Sequence, residues 1–107
     1  MPAPGDRLDV EAAPGRLALR GELTFASVER AGDVRAHLAT AGQAGPVVAD
    51  LSGITRVDSA GLALLVGVIG AARAAGVALT FRAVPPRLRA IARISEVEDL
   101  LVETAAA

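Results

Sequence analysis

The pattern of hydrophobic and polar residues predicts four strands. Leu17, Leu19 and Leu23 alternate with polar or small residues, which is typical of a half-buried strand. This strand is expected to form a hairpin with a shorter one at residues 8–11. The apolar run at 47–51 predicts a strand covered on both faces, and alternation over 77–82 predicts the last strand. A helical segment separates these two strands, so we expect a right-handed crossover between parallel strands.

Helical spacing predicts three helices and a fourth, short one. The first extends from about residue 25 to 41 and is capped by Thr24 or Ser27. The second covers 59–76, and the third opens at the proline pair 85–86, since proline is tolerated in a first turn. The sequence at 95–98 matches a capping box and predicts a separate last helix. The inward face of the first helix is expected to hold Val28, Ala31, Val34 and Leu38.

This order of elements predicts an α/β fold with a mixed β-sheet of about four to five strands and helices packed on one side. A chain of 107 residues suits one such domain, which we place at 8–104 between a flexible N-terminus at 1–7 and a C-terminal tail at 105–107.

Composition and charge exclude several classes of function. Eleven basic residues, all arginine, face twelve acidic ones, which argues against a general nucleic-acid binder. The chain has no cysteine, which excludes a zinc site of the usual kind, and its single histidine, His37, argues against a histidine-based triad or a multi-histidine metal site. The longest apolar run, 60–72, is too short to cross a bilayer, and the N-terminus does not resemble a signal peptide. We therefore expect a cytoplasmic protein without a cofactor or metal.

The most informative segment is residues 50–62, where a buried strand is expected to lead through a polar loop at 52–57 into a helix. Asp58 is placed to cap this helix by accepting a hydrogen bond from a first-turn amide. Ser59 then lies in the first turn, at the end of parallel strands where open α/β sheets usually place their sites. The alternative is that Asp58 and Ser59 are ordinary capping residues.

The helix at 59–76 has an unusual outer side. Its core stripe is Leu62, Leu65, Ile69 and Ala72, and no charge appears on the helix before Arg73. Small or uncharged residues occupy the opposite side, namely Ala60, Ala63, Leu64, Gly67, Gly70, Ala71 and Ala74. A smooth apolar surface of this kind is typical of a docking site. The alternative is that another element of the same domain covers it.

These residues resemble the STAS family, the domains of bacterial anti-sigma-factor antagonists and of the cytoplasmic tails of sulfate transporters. The resemblance covers 8–104 and depends on Gly-x-Leu at 21–23, Asp-Leu at 50–51, Asp-Ser-x-Gly-Leu at 58–62 and Pro-x-Leu at 86–88. It implies a single STAS-like domain that acts by protein–protein interaction and not as an enzyme. In the antagonists the serine of this turn is phosphorylated by the anti-sigma kinase, and that role would fall on Ser59. A phosphate beside Asp58 would add nearly two negative charges and could act as a switch on docking.

Within the family, the segments 21–25 and 55–65 look most like MlaB, the STAS subunit of the Mla phospholipid-transport ABC complex. The antagonists tend to have glycine and a β-branched residue where this chain has Ala63 and Leu64. The subgroup implies a partner, the cytoplasmic ATPase subunit, and membrane association only through the transporter complex. The expected partner-binding residues are Asp58, Ser59, Ala60, Gly61, Ala63, Leu64 and Gly67.

Two other functions compete with this interpretation. One is an anti-sigma-factor antagonist whose partners are an anti-sigma factor and its serine kinase, controlled by phosphorylation of Ser59. The other is a small hydrolase or nucleotide-binding enzyme, which the sequence disfavours. No nucleophile–base pair can be assembled, and the glycines at 67–70 lack the lysine and hydroxyl residue of a phosphate-binding loop.

Overall fold

The computed structural model describes residues 7–27 and 31–103, which form a four-stranded mixed sheet with helices packed on one face. Two single 3₁₀ turns, Gly42–Ala44 and Glu98–Leu100, complete the described elements. In chain order the strands and helices are β1 (Leu8–Ala13), β2 (Arg16–Leu23), α1 (Ala31–Ala41), β3 (Val47–Val57), α2 (Ser59–Ala74), β4 (Leu79–Arg82) and α3 (Pro86–Ile94).

The strand order in the sheet is β1-β2-β3-β4, as in the chain. β1 pairs with β2 in an antiparallel hairpin, whereas β2–β3 and β3–β4 are parallel. The predicted hairpin and the parallel β3–α2–β4 unit are therefore confirmed. The helix-facing side of the sheet and the inner faces of the helices form one core, to which Leu19, Leu51, Leu65, Phe81 and Leu88 contribute fully buried side chains.

The polar loop predicted at 52–57 is wrong, because β3 continues to Val57. The second half of β3 pairs with the end of β2, with Gly21 opposite Ile54 and Leu23 opposite Val57. Hydrogen bonding to this neighbouring strand holds the segment extended, although most of its side chains are exposed or half-buried. The strand therefore delivers Asp58 directly to the start of α2.

The first helix begins later than predicted. Residues 25–27 form a turn, and the described helix starts at Ala31. Val34 and Leu38 are buried as expected. Val28 and the side chain of Ala31 lie outside what the structure describes.

The capping box and separate last helix predicted from residue 95 are also wrong. Ser95 ends α3, its N–H donating to the Ile91 carbonyl, and Glu96 takes a positive φ of 59°, which turns the chain away. After the 3₁₀ turn, the Phe81 N–H donates to the Val102 carbonyl at 2.8 Å, and Glu103 forms an isolated parallel bridge with Phe81. Beyond the four strands, the C-terminal segment thus covers the outer edge of β4.

Candidate functional site

Asp58 links the start of α2 to the turn that follows β2. It has an extended backbone, and its Oδ1 accepts the Gly61 N–H at 3.0 Å, which confirms the predicted N-cap. Its Oδ2 accepts the Phe25 N–H at 3.0 Å, and its own N–H donates to the Leu23 carbonyl at 3.0 Å. One side chain therefore fixes two chain segments that are more than thirty residues apart in sequence.

These hydrogen bonds set the charge of the site. The bond from the Phe25 N–H, helped by the N–H groups of Gly61 and Ala60 and by the nearby Arg56 guanidinium, holds the pKa of Asp58 below its ordinary value. Partial burial opposes this effect and does not reverse it. Asp58 is thus a carboxylate at neutral pH, and with both oxygens accepting backbone N–H groups its role is to position the loop.

The turn at 24–27 is held by buried polar groups. The Ser27 hydroxyl donates to the Glu22 carbonyl and accepts the Thr24 N–H at 3.0 Å. The Thr24 hydroxyl donates to a carboxylate oxygen of Glu22 at 3.3 Å. Thr24 and Ser27 are both buried, so this network fixes the turn that carries Phe25. The described bonds of these two side chains thus stay within 22–27 and form a turn, and the residues between this turn and Ala31, to which the predicted capping bond would run, lie outside the described part of the chain.

Gly61 is required by close packing. A Cβ at this position would meet the backbone carbonyl of Leu23 at less than contact distance. Gly61 is buried, and the absence of a side chain lets α2 begin directly against the end of β2. The glycine of the Asp-Ser-x-Gly turn thus allows α2 to pack closely against β2 beneath the site, and it does not contribute to the exposed surface.

Ser59 lies exposed in the first turn of α2 and opens a strip of small side chains along the helix. The exposed strip is defined by Ser59, Ala63, Gly70 and Ala74. Ala60, Gly67 and Ala71 are half-buried beside it. The predicted core stripe of α2 is confirmed, since Leu62, Leu65, Ile69 and Ala72 are all buried.

The predicted outer position of Leu64 is wrong, because the side chain is only 7% exposed. α1 packs against α2, and the guanidinium of Arg35 on α1 lies 3.2 Å from where a Cβ of Gly67 would be. For Leu64, and in part for Gly67, the alternative that another element of the domain covers this side is therefore correct. The exposed strip is therefore narrower than the sequence suggested, with Ser59 and Ala63 near the start of α2 and Gly70 and Ala74 near its end.

A shallow depression of about 700 Å³ borders the tip of α2. Phe25, Asp58, Arg56 at the end of β3 and Arg87 in the first turn of α3 all line it. Of these four residues, the sequence alone predicts only Asp58 at the site. No periodicity marks Phe25 as exposed, because it lies three residues before Val28, at the spacing of the predicted core stripe of α1.

Asp50 lies elsewhere, on the sheet, where it binds the Arg16 guanidinium at 2.9 Å. The Ser52 N–H donates to its other oxygen, and this bond is the main reason why the pKa of Asp50 is lowered. Asp50 and Asp58 thus have separate partners and form no acid–base pair. Within residues 7–27 and 31–103, no group of three or more His, Asp or Glu side chains is arranged to hold a metal ion, and no helix is long and apolar enough to span a membrane.

Comparison with known proteins identifies the family of this chain. The family model described as "Mlab, STAS domain" matches residues 7–103. The chain belongs to the STAS domain family. This STAS chain matches no curated protein.

Solved structures agree on the STAS fold. The anti-sigma factor antagonist SpoIIAA in its unphosphorylated form is 18% identical, with a TM-score of 0.61 over 92% of this chain and 88% of that one. The phosphorylated form of the Bacillus cell fate determinant SpoIIAA gives 18% identity and a TM-score of 0.58, over 92% and 91%. The murine Solute Carrier 26 family member A9 anion transporter gives 18% identity and 0.54, over 83% of this chain but only 14% of its own length. At these identities the similarity establishes the fold alone.

Proposed function

We propose that this chain is a non-enzymatic STAS interaction subunit that binds and supports the ATPase of an Mla-type phospholipid ABC transporter, which maintains outer-membrane lipid asymmetry. It would act in the cytoplasm and reach the inner membrane only through the transporter complex. The observation that carries the proposal is the match of the MlaB-type model to 7–103, in a chain whose Asp-Ser turn is open at the surface.

The geometry of the turn supports docking. Asp58 has both carboxylate oxygens engaged by backbone N–H groups, and among the described hydrogen bonds none joins it to the Ser59 hydroxyl. Ser59 and Ala63 are exposed and lie one helical turn apart, where a partner backbone can approach closely. The proposed contact surface is therefore Asp58, Ser59, Ala60 and Ala63, with Gly67 at its margin, while Gly61 and Leu64 support it from within.

Co-purification with the ABC-transporter ATPase of the same organism tests the proposal. Ser59→Glu introduces a charge at the helix tip, and Ala63→Arg introduces bulk and charge one turn later; both should abolish co-purification. Ala74→Arg is the matched control, since Ala74 is also exposed on α2 but lies at its far end. Co-purification of the ATPase with all three variants would refute the proposed docking surface.

The exposure of Ser59 favours a second candidate function, an anti-sigma-factor antagonist controlled by phosphorylation. A phosphate there would lie at the N-terminus of α2, where the helix dipole favours negative charge, and it would place a buried, uncompensated charge against a docked partner. Incubation with the serine kinase of the same organism should then add one phosphate, which Ser59→Ala abolishes. Genes for a permease and an ATPase beside this one favour the transporter, whereas genes for a sigma factor and a serine kinase favour the switch.

A further inference from the structure

Phe25 is 80% exposed and lies beside the site rather than in the core. The other large apolar side chains that are exposed in the described part of the chain are Ile94, at the end of α3, and Val102. A single exposed apolar residue is common in folded proteins and carries no argument by itself. Phe25 differs from the other two because its support and its surroundings belong to the Asp58–Ser59 site.

The backbone of Phe25 is held in place. Its N–H donates to Asp58 Oδ2, and the residues around it, Thr24 and Ser27, are tied into the buried network with Glu22. An aromatic side chain presented from a fixed turn loses little conformational freedom on binding and offers a large apolar surface. These are the properties of residues that dominate interface energies.

Among the described residues that line the depression, the two arginines, Arg56 and Arg87, are exposed, whereas the two acids are buried or half-buried. Of the two acids that line the depression, Asp58 is engaged by backbone N–H groups, and Glu22 is buried 3.8 Å from the Arg56 guanidinium. Arg87 is exposed and makes no ion pair with any residue of 7–27 or 31–103. The rim around the aromatic ring therefore complements an acidic surface.

We infer that Phe25 is the apolar anchor of the docking surface, and that the protein partner receives it in an apolar pocket bordered by carboxylates that pair with Arg87 and Arg56. This inference rests on the proposed function, because it names the chemistry of the partner that binds at Asp58 and Ser59. A protein fits better than an anionic membrane, since two arginines fall short of the clusters of four to eight basic residues that read lipid surfaces.

Binding of purified full-length chain to the purified ATPase subunit, measured by calorimetry at several salt concentrations, tests the inference. Phe25→Ala should weaken binding about thirtyfold or more, the scale of a hot-spot residue. Ile94→Ala is the matched control, because Ile94 is 85% exposed and lies at the opposite end of α3 from Arg87; it should stay within about twofold. Melting temperatures of both variants should match the wild type, since neither side chain is packed in the core.

Charge is tested at Arg87, because changing Arg56 would also leave the buried Glu22 without its ion pair. Arg87→Gln should flatten the dependence of affinity on salt, whereas Arg73→Gln, at the far end of α2, should not.

The outcomes separate the two proposals. If Phe25→Ala and Ile94→Ala bind equally well while Ala63→Arg does not bind, the anchor is refuted and the docking function stands. If the wild-type chain binds no ATPase, both are refuted. Binding of the same variants to vesicles containing phosphatidylglycerol is measured in parallel. If Phe25→Ala lowers binding to these vesicles and leaves binding to the ATPase unchanged, the surface binds lipid and the protein anchor is wrong.

Discussion

At the scale of single residues, Asp58 joins the turn after β2 to the start of α2 through its hydrogen bonds. Replacing it by alanine removes the cap of α2 and the bond to the Phe25 N–H, so the free energy of unfolding should fall by about 1–2 kcal/mol at pH 7. The folded pKa of Asp58 is lowered, so its charge stabilises the fold above the ordinary value of 3.8 and this contribution is lost as the pH falls through the folded pKa. The difference between Asp58→Ala and wild type should therefore shrink below pH 4.

Urea denaturation at pH 7 and at about pH 2.5 measures this difference. Asp50 also has a lowered pKa, so the wild type alone loses stability in acid for more than one reason, and only the comparison with Asp58→Ala isolates Asp58. Ser59→Ala serves as control and should stay within about 0.5 kcal/mol of wild type, because Ser59 is exposed. An equal deficit for Asp58→Ala at both pH values would show that the carboxylate charge contributes nothing.

At the scale of elements, two glycines of α2, Gly61 and Gly70, differ in what surrounds them. Gly61→Ala should lower the free energy of unfolding by about 3 kcal/mol, because its Cβ meets the Leu23 carbonyl and either α2 or β2 must move. Gly70→Ala should raise it by about 0.5–1 kcal/mol, because Gly70 is in the helix with nothing within 4 Å of an added Cβ. The midpoints of urea unfolding compare the two variants directly, and a neutral Gly61→Ala would contradict the close-packing role.

The elements also show how far the sequence predicts this site. Helical periodicity located the core stripe of α2 correctly, and capping chemistry located Asp58. The same periodicity left Leu64 outside because the angular position of a neighbouring helix is a tertiary property, and α1 covers that side. β3 extends to Val57 because β2 supplies backbone hydrogen-bonding partners. The alternation of buried and exposed residues does not reveal this pairing, since the second half of the strand is largely exposed.

The exposure of Phe25 could not be predicted from the sequence either, because it also depends on tertiary contacts. Its conformation depends on a hydrogen bond to Asp58, thirty-three residues later in the chain, and on the buried contacts of Thr24 and Ser27. Local sequence shows a hydrophobic residue at helical spacing from Val28 and nothing of those contacts. The site that we propose is thus half visible in sequence, as the Asp-Ser-x-Gly turn, and half created by folding, as the turn that carries Phe25.

At the scale of the whole molecule, an ion-pair network fastens the C-terminal segment over the edge of β4. Arg89 on α3 lies 3.0 Å from a Glu103 carboxylate oxygen and 3.7 Å from one of Glu98, and Arg93 pairs with Glu98 at 3.1 Å. The side chain of Arg89 is less exposed than that of Arg93, so its pairs are screened less by solvent. The segment that it holds supplies the Val102 carbonyl to the Phe81 N–H.

Arg89→Gln should therefore lower the free energy of unfolding by about 1 kcal/mol, the upper end for pairs near the surface that act as a network. Arg87→Gln is the matched control, two residues earlier on α3, and should change it by less than about 0.5 kcal/mol because Arg87 forms no ion pair among the described residues. Unfolding curves in 0.05 M and 1 M NaCl should show the Arg89→Gln deficit shrinking at high salt, since screening weakens the pairs that the wild type retains. A deficit of the same size at both salt concentrations would instead assign the effect to lost packing of the Arg89 stem against α3, and the C-terminal segment would then be held by backbone pairing to β4 alone.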